Sequence, residues 1–416
     1  MDFIIYVFLF FFLLEILLIL KVKWLKKDFQ WLITKEDDLH EIDQTALDKF
    51  IKYGYDAELG WERKANTSKK EPVKTVGEDK ARYSSSYSIN SYKARYNPGH
   101  ENLPSFISSF GDSFAFSRHV NDNQTWQWYL SALSRTNVTN YGVGNYGIDQ
   151  AFLRFKREFP RRKTRIVIMM VAPETISRIV NIWKHYSEYG NTFGFKGRYV
   201  IENDALRWIK NPIDEKDKYK TISIYKEWIQ KHDYCYQNKF SNDMLRFPYS
   251  WHMTRNFKKS YPLIKALIIR KIYKLSGLYN EKVINQPWEI ILERNFEFTV
   301  SLFKDRQIKE LLFRIVMEFK KNVEEEGSIP VFVFVPYLHD IRYMEDHECY
   351  YSDFIKQVGS CLLTVDMAET FLKLKGPEDI YVSRYYGAHL NDKGNRIMAE
   401  HLFGVLKKIS LVPNDE

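Results

Sequence analysis

Two short, uninterrupted apolar runs limit the fold of this chain more than any other feature of its sequence. Residues 164–171 read TRIVIMMV and residues 329–335 read IPVFVFV. Runs of this length without an alternating polar face are typical of strands buried on both sides in a parallel sheet. Weaker strand-like runs cover residues 105–110, 138–143 and 361–365, with helical spacing between the runs. We therefore predict a three-layer α/β sandwich with a mostly parallel sheet.

A third apolar run, at the N-terminus, is of a different kind. Residues 3–20 are apolar except for Glu15, and eighteen such residues just suffice to cross a bilayer as a helix. A cleaved signal peptide needs a positive segment in front and small residues behind, whereas here Asp2 precedes the run and Lys21 follows it. We expect a single-pass anchor over residues 1–22. Its Glu15 is expected to be protonated, near an interface, or paired with another helix, which makes it a candidate contact for a membrane partner.

The residues that flank this run indicate on which side of the membrane the rest of the chain lies. Lys21, Lys23, Lys26 and Lys27 follow the run, and basic flanks are kept in the cytoplasm. This favours a cytoplasmic domain at a bacterial inner membrane, with an exported domain as the open alternative, since large domains can cross despite flanking charge. The net charge of +9 is spread along the chain, which argues against a nucleic-acid partner.

The rest of the chain divides by pattern into four parts. We predict a membrane-proximal segment over residues 23–100, a first part of the α/β core over 101–200, a helical insertion or cap over 201–325, and a second part of the core over 326–412. The insertion is predicted because strand signals fade after residue 198, while residues 261–275 and 288–321 have helical spacing. Whether these helices cap the active edge of the sheet or simply cover it stays open.

A serine at the end of the first predicted strand is the first candidate for chemistry. Gly111, Asp112 and Ser113 follow the strand and precede a stretch predicted to be helical. Ligands bind at the carboxyl ends of the strands in open α/β sheets, and there a backbone N–H group and a helix N-terminus can stabilise an oxyanion. Gly-Asp-Ser also occurs by chance, commonly at helix N-caps, so the tripeptide alone does not decide.

A histidine near the other end of the chain is the second candidate. His389 lies in a loop, residues 387–395, before a predicted helix over residues 396–406. A histidine in that position can return to a nucleophile on the first strand and act as its base. The alternative is a surface histidine beside the start of a helix.

Taken together, these segments resemble the SGNH/GDSL hydrolase family. Residues 110–114 (FGDSF) are similar to its first block, residues 140–150 (NYGVGNYGIDQ) to its second block in members associated with surface polysaccharides, and residues 389–394 (HLNDKG) to its last block. The resemblance covers roughly residues 100–200 and 326–410.

The resemblance implies a flavodoxin-like sheet and serine ester chemistry. Ser113 would attack an ester carbonyl, His389 would take and return the proton, and backbone N–H groups, including that of Gly144 or Asn145, would hold the oxyanion. No metal and no organic cofactor is expected.

The chain departs from the family pattern at two positions. The family carries an Asp two or three residues before the histidine, where this chain has Tyr386 and Gly387. The site is then either a Ser–His dyad, with a backbone carbonyl orienting the histidine, or it takes its acid from Asp379 or Asp392.

The second departure concerns the asparagine that donates to the oxyanion in the family. It should follow the strand that ends at residue 171, where this chain reads Ala-Pro-Glu-Thr. A carboxylate accepts hydrogen bonds only, so Thr175 or Asn181 would serve, or the oxyanion hole is weaker.

The function expected from these features is a membrane-anchored serine esterase or O-acyltransferase that acts on an acylated carbohydrate of the cell envelope or its precursor. The anchor, the 16% aromatic content and the second block favour it. A lipase or lysophospholipase is the alternative enzyme. A non-catalytic membrane-anchored scaffold of the same fold is the alternative from a different class.

Overall fold

The computed structural model describes residues 2–39, 42–74, 81–384, 388–409 and 411 of the 416-residue chain. The strands in these residues, in chain order, are β1 (Tyr55–Asp56), β2 (Gly60–Trp61), β3 (Thr67–Val73), β4 (Tyr83–Ile89), β5 (Ser105–Gly111), β6 (Asn137–Asn140), β7 (Ile166–Val171), β8 (Arg198–Glu202), β9 (Ala205–Ile209), β10 (Ile329–Phe334) and β11 (Leu363–Asp366).

The α-helices in the same residues are α1 (Asp2–Lys26), α2 (Gln44–Tyr53), α3 (Trp126–Ser134), α4 (Ile148–Glu158), α5 (Thr175–Arg178), α6 (Lys184–Ser187), α7 (Ile222–His232), α8 (Ser241–Asp243), α9 (Tyr249–Arg255), α10 (Phe257–Leu275), α11 (Glu281–Lys304), α12 (Arg306–Glu325), α13 (Leu338–Asp346), α14 (Ser352–Gly359), α15 (Ala368–Leu372) and α16 (Asp392–Lys408).

Five of the strands form one sheet in the order β6–β5–β7–β10–β11, and every neighbouring pair is parallel. Numbered along the chain, this order is 2-1-3-4-5, the order of flavodoxin-like doubly wound sheets. The predicted fold class is therefore confirmed. The order reverses between β5 and β7, so the carboxyl ends of these two strands form the crevice where ligands bind in such sheets.

Helices cover both faces of this sheet and complete the three layers. The residues of β7 alternate between them: Val167 and Met169 pack on the face covered by α4, α12 and α14, whereas Ile168 and Met170 pack on the face covered by α3, α13 and α16. All six residues of β7 are buried, which explains why residues 164–171 lack an alternating polar pattern. Each such side chain contributes about 1.5–3 kcal/mol when fully buried.

The region that precedes the sheet contacts the loop after Ser113. β3 and β4 form an antiparallel hairpin, and Arg95 follows it. The buried guanidinium of Arg95 donates to the carbonyl oxygens of Phe116, Ser117 and Val120 at 2.7–2.8 Å. Arg95 thereby holds three carbonyl groups of this loop, because leaving any of them unpaired in the interior would be costly.

Three local predictions were wrong. No helix begins at Ser113: the chain from residue 113 to 119 forms turns, and Ser117 and His119 have positive φ angles that an α-helix does not allow. The sequence also did not predict the two strands β8 and β9. They pair through a turn at Asn203 and Asp204, both of which have positive φ.

The third difference is a helix break. The predicted helix over residues 288–321 is interrupted between α11 and α12 at Asp305, whose Oδ1 accepts from the N–H groups of Gln307 and Ile308 at 2.9 and 3.1 Å. Asp305 has an extended backbone and caps α12, and such capping favours a new helix start over continuation.

The N-terminal helix α1 is long and apolar enough to cross a membrane. Its second half packs on the region between β9 and β10, where Val22 and Leu25 are buried against residues of α9, α10 and α11. Glu15 also has its partner within the chain, because its carboxylate oxygens accept from the N–H groups of Tyr249 and Ser250 at 2.7 and 2.8 Å. These two residues open α9, so the carboxylate caps the N-terminus of that helix.

Candidate active site

Ser113 and His389, 276 residues apart in the chain, are in direct contact in the structure. The Ser113 Oγ lies 2.7 Å from the His389 Nε2, within the distance that a nucleophile and its base require. Ser113 is 2% exposed and His389 is 6% exposed. In the tautomer that carries its hydrogen on Nδ1, the neutral imidazole accepts a hydrogen bond from the serine hydroxyl at Nε2. The contact lies at the carboxyl end of β5, at the point where the strand order reverses.

The surroundings of His389 keep its ring neutral. Burial lowers the pKa of His389 well below its ordinary value of 6.5, and the nearby His119, Arg118 and Arg178 lower it further. The ring of His119 is perpendicular to that of His389, with 4.8 Å between the centroids, and Phe114 packs at 5.3 Å. A neutral imidazole is the form that accepts a proton from serine.

The turn that presents Ser113 depends on Gly111 and Asp112. Gly111 has φ +148°, and a Cβ there would lie 1.7 Å from the Met170 carbonyl oxygen, so only glycine fits. Asp112 is buried; its Oδ1 accepts from the Phe114 N–H at 2.8 Å and its Oδ2 from the Ala172 N–H at 2.9 Å. The aspartate of the Gly-Asp-Ser sequence thus joins the end of β5 to the end of β7.

Arg178 forms a buried ion pair with Asp112. Its Nη1 donates to Asp112 Oδ2 at 3.2 Å and to the Tyr146 carbonyl oxygen at 3.0 Å, while Nη2 donates to Glu174 at 2.5 Å and to the Tyr337 hydroxyl at 3.2 Å. Burial raises the pKa of Asp112, and the Arg178 charge opposes this. Arg178 therefore connects the nucleophile turn with two loops that border the site.

Gly144 and Asn145 lie in the loop after β6, beside this turn. Val143 donates to the Gly111 carbonyl oxygen at 3.0 Å, and the Trp61 Nε1 donates to the Gly144 carbonyl oxygen at 3.0 Å. Within the described residues, the N–H groups of Ser113, Gly144 and Asn145 donate no hydrogen bond to the protein. These N–H groups are candidate donors to an oxyanion.

The described part of the chain supplies no carboxylate to His389. Its buried Nδ1 has no hydrogen-bond partner among these residues. Asp392 accepts from the Tyr129 hydroxyl at 2.5 Å, and Asp379 is exposed, 3.9 Å from the Arg384 guanidinium. Tyr386 and Gly387, where the family carries its acid, lie outside the described residues. Within the described residues, Ser113 and His389 therefore form a Ser–His pair with no carboxylate at Nδ1.

Neither side chain considered as a replacement for the oxyanion asparagine is directed to Ser113 by its hydrogen bonds. Thr175 Oγ1 accepts from the Ile148 N–H at 2.8 Å, at the start of α4. Asn181 Nδ2 donates to the Trp183 carbonyl oxygen at 2.6 Å. Both side chains hold neighbouring loops, which leaves the backbone N–H groups as the donors that the site presents.

An open cleft of about 380 Å³ adjoins the site at Gly144 and Asn145. Arg118 also lines it, and its N–H donates to the Ser113 carbonyl oxygen at 3.0 Å. The aromatic side chains that line the cleft are Phe50, Tyr53, Trp61 and Phe193, and the cationic ones are Arg63, Lys69, Arg118 and Lys184. Aromatic faces with polar and charged groups between them suit a polar ligand that also has apolar faces.

For a metal, the described residues offer no group of three His, Cys, Asp or Glu side chains close enough to act as ligands. Reasoning from the sequence missed Arg178, Arg95, Trp61 and His119. The spacing of Glu174 and Arg178, four residues apart, is a helix-pair signal, but no local pattern indicates the partners that give the other three their roles.

Comparisons with known proteins concern the fold. No protein-family model matches the chain, and no curated protein matches it. Among solved structures, it is similar to a protein from Desulfitobacterium hafniense DCB-2 described as lipolytic and of the G-D-S-L family, with 13% identity, 73% of this chain and 99% of that chain covered, and a TM-score of 0.33. It is also similar to a member of the lipolytic protein G-D-S-L family from Veillonella parvula DSM 2008, with 10% identity, 73% and 99% covered, and a TM-score of 0.34. With its 2-1-3-4-5 sheet, and with Ser113 after the first strand and His389 before the last helix, the chain has an SGNH/GDSL hydrolase-like fold.

Proposed function

We propose that this chain is a membrane-anchored serine esterase or O-acyltransferase that acts on an acylated carbohydrate. The observation that carries the proposal is the 2.7 Å hydrogen bond between Ser113 Oγ and the neutral, buried His389. A buried serine bonded to a histidine of lowered pKa, at the ligand-binding end of a parallel sheet, is the arrangement that activates a hydroxyl as a nucleophile.

The reaction proceeds through an acyl-enzyme. Ser113 Oγ attacks the acyl carbonyl carbon as His389 Nε2 takes the hydroxyl proton, and the N–H groups of Ser113 and of Gly144 or Asn145 stabilise the oxyanion. Collapse of this intermediate breaks the bond to the sugar oxygen, which takes the proton from His389. Water or a second sugar hydroxyl then attacks the acyl-enzyme, with His389 again as the base. These two acceptors distinguish an esterase from an acyltransferase.

The cleft supports a saccharide as the alcohol part of the substrate. Its aromatic side chains offer flat faces for the C–H surface of a sugar ring, and its Asn, Thr and charged side chains offer hydrogen bonds to the hydroxyl groups. The cleft begins at Gly144 and Asn145, which belong to the second block, so a sugar held there has its ester near the proposed oxyanion donors.

The packing of α1 supports a retained anchor. Val22 and Leu25 belong to an apolar cluster with Leu263 and Ile291, and Glu15 caps α9. A signal peptide is removed from the mature protein, and its removal here would leave a buried cluster and a helix terminus without their partners.

Labelling of the full chain with a fluorophosphonate tests the serine chemistry. We expect the parent protein to be labelled, and Ser113→Ala to lose both labelling and esterase activity, by about 10⁴-fold or more for activity. His389→Ala should be comparably impaired, and the double variant little worse than either single one, because the two residues act together.

Ser108→Ala is the matched control. Ser108 is a buried serine on β5, the strand that leads to Ser113, and is hydrogen-bonded to Thr164 Oγ1 at 2.8 Å; its removal should leave labelling unchanged. Labelling of the Ser113→Ala variant would refute the assignment, and an unlabelled parent would point to a scaffold protein. Parallel assays on acetylated sugars, short acyl esters and long-chain lipid esters then test the substrate class; a preference for long-chain esters would replace the saccharide with a lipid.

A further inference from the structure

The N-terminal helix stands free of the domain over only part of its apolar run. The side chains of residues 3–13 are exposed, whereas Leu18 and Ile19 pack against the helices of the region between β9 and β10. Eleven helical residues extend about 16 Å at a rise of 1.5 Å per residue, and the hydrocarbon core of a bilayer is about 30 Å thick. The free part of α1 is therefore too short to cross. If the whole apolar run enters a bilayer, the helices packed on one face of its second half enter the same layer.

Glu15 indicates which part of the domain this is. Its carboxylate accepts from the N–H groups of Tyr249 and Ser250, the first two residues of α9. Glu15 precedes the end of the apolar run, residue 20, by five residues, which is about 8 Å along a helix. The N-terminus of α9 is thus level with a point inside the apolar run. The contact also gives the carboxylate two donors, which lowers the cost of a charge in this layer.

Large apolar side chains are exposed close in the chain to this contact. Phe247 and Trp251, two residues before Tyr249 and two residues after it, are each 67% exposed. Phe257 and Tyr261, at the start of α10, are also exposed and stack on each other with 4.8 Å between their centroids. Aromatic side chains of this kind collect at the membrane–water interface, where their rings contact both lipid and head groups.

We propose that α9 and the first turns of α10 lie in the interfacial layer of the membrane that α1 enters, with Phe247 and Trp251 against lipid. The proposal rests on the membrane anchoring proposed above and goes beyond it, because it gives the helical region its own lipid-binding surface. Arg255 and Lys258 lie within a few residues of these aromatic side chains, and Lys21 and Lys23 follow the apolar run. These cations match the charge of an anionic lipid surface.

Fluorescence quenching of the full chain in vesicles tests this. The protein is reconstituted in phosphatidylcholine–phosphatidylglycerol vesicles whose acyl chains carry bromine near the head group, and the parent is compared with Trp251→Phe. We expect bromine to quench part of the tryptophan fluorescence of the parent. In Trp251→Phe this quenched part should be measurably smaller. The matched control is Trp228→Phe, because Trp228 is also an exposed tryptophan of the helical region, on α7; its replacement should leave the bromine-dependent decrease in fluorescence as large as in the parent.

Flotation of the protein with the vesicles gives a separate readout of anchoring. If the chain floats and Trp251→Phe is quenched as strongly as the parent, α9 stays out of lipid, and the present proposal is wrong while anchoring stands. The same result is expected if these side chains bind a protein partner, because the vesicles contain lipid only. If the chain does not float, anchoring and the interfacial surface are both wrong, and fluorophosphonate labelling still tests the serine chemistry independently.

Discussion

Replacement of Arg178 by methionine should destabilise the fold strongly through Asp112. The substitution removes the guanidinium and roughly keeps the side-chain volume. It leaves the Asp112 carboxylate, which is fully buried, without its counter-charge. Removal of one partner of a buried ion pair costs about 3–5 kcal/mol, because the remaining charge is left uncompensated.

The local geometry sets the expected value within that range. Asp112 keeps its hydrogen bonds from the Phe114 and Ala172 N–H groups, which places the loss of the charge near the lower end, about 3 kcal/mol. The Tyr146 carbonyl oxygen also loses its donor, which adds about 1 kcal/mol. We therefore expect Arg178→Met to lower the free energy of unfolding by about 4 kcal/mol.

Urea unfolding of the full chain in detergent micelles, followed by tryptophan fluorescence, measures this loss. The control is Arg396→Met, since Arg396 forms an exposed ion pair with Glu400; its loss should change the free energy of unfolding by less than about 1 kcal/mol. The double variant Asp112→Asn/Arg178→Met should cost less than the sum of the single variants, because no unpaired charge is left in it. A loss below about 1 kcal/mol for Arg178→Met, or strict additivity in the double variant, would refute the reasoning.

Four further outcomes follow from the same structure. Because burial keeps the pKa of His389 well below 6.5 and a base works in its neutral form, kcat/KM should hold as the pH falls through 6.5 and decline only at more acid pH; an acid limb at about pH 7 in the rate profile contradicts this. Asp379→Asn and Asp392→Asn should each keep activity within about tenfold of the parent, since neither carboxylate reaches His389, and a loss near 10⁴-fold in either would identify a triad acid. Glu15→Leu should lower the free energy of unfolding by about 0.5–2 kcal/mol in the urea assay, through loss of the α9 cap, and an unchanged value argues against that cap. A C-terminal alkaline phosphatase fusion should have low activity, because the basic flank after α1 favours a cytoplasmic domain; high activity means an exported domain and a finished envelope polymer as the substrate, rather than a lipid-linked or nucleotide-linked precursor.

Some strands could be predicted from the sequence and others could not. Residues 164–171 and 329–335 were recognised as strands because β7 and β10 are buried on both faces, which leaves a short apolar run without an alternating polar face. β8 and β9 were missed because their buried, half-buried and exposed residues follow no regular order, so neither an apolar run nor an alternation is visible. Their turn at Asn203 and Asp204 was a usable signal, since these residue types tolerate positive φ.

Some residues of the candidate site were likewise predictable from the sequence and others were not. Ser113 and His389 were candidates because each stands at a boundary between elements, where chemistry is commonly placed. The resemblance of residues 110–114 and 389–394 to SGNH/GDSL blocks then joined them into one site. Trp61 was not found, because its partner, the Gly144 carbonyl oxygen, lies 83 residues away and no local pattern indicates it. For Arg178, the spacing to Glu174 indicates a local helix pair but not the contact with Asp112, 66 residues away.

From its sequence alone, the chain shows which segments are buried strands, that its N-terminus is an apolar helix, and which serine and histidine stand at loop positions. All of these follow from periodicity and residue type within about twenty positions. The tertiary structure alone decides the strand order that brings the end of β5 beside the end of β7, the 2.7 Å contact between Ser113 and His389, and the contact of Glu15 with α9. These depend on which distant surfaces exclude water together, and that is a property of the packed chain as a whole.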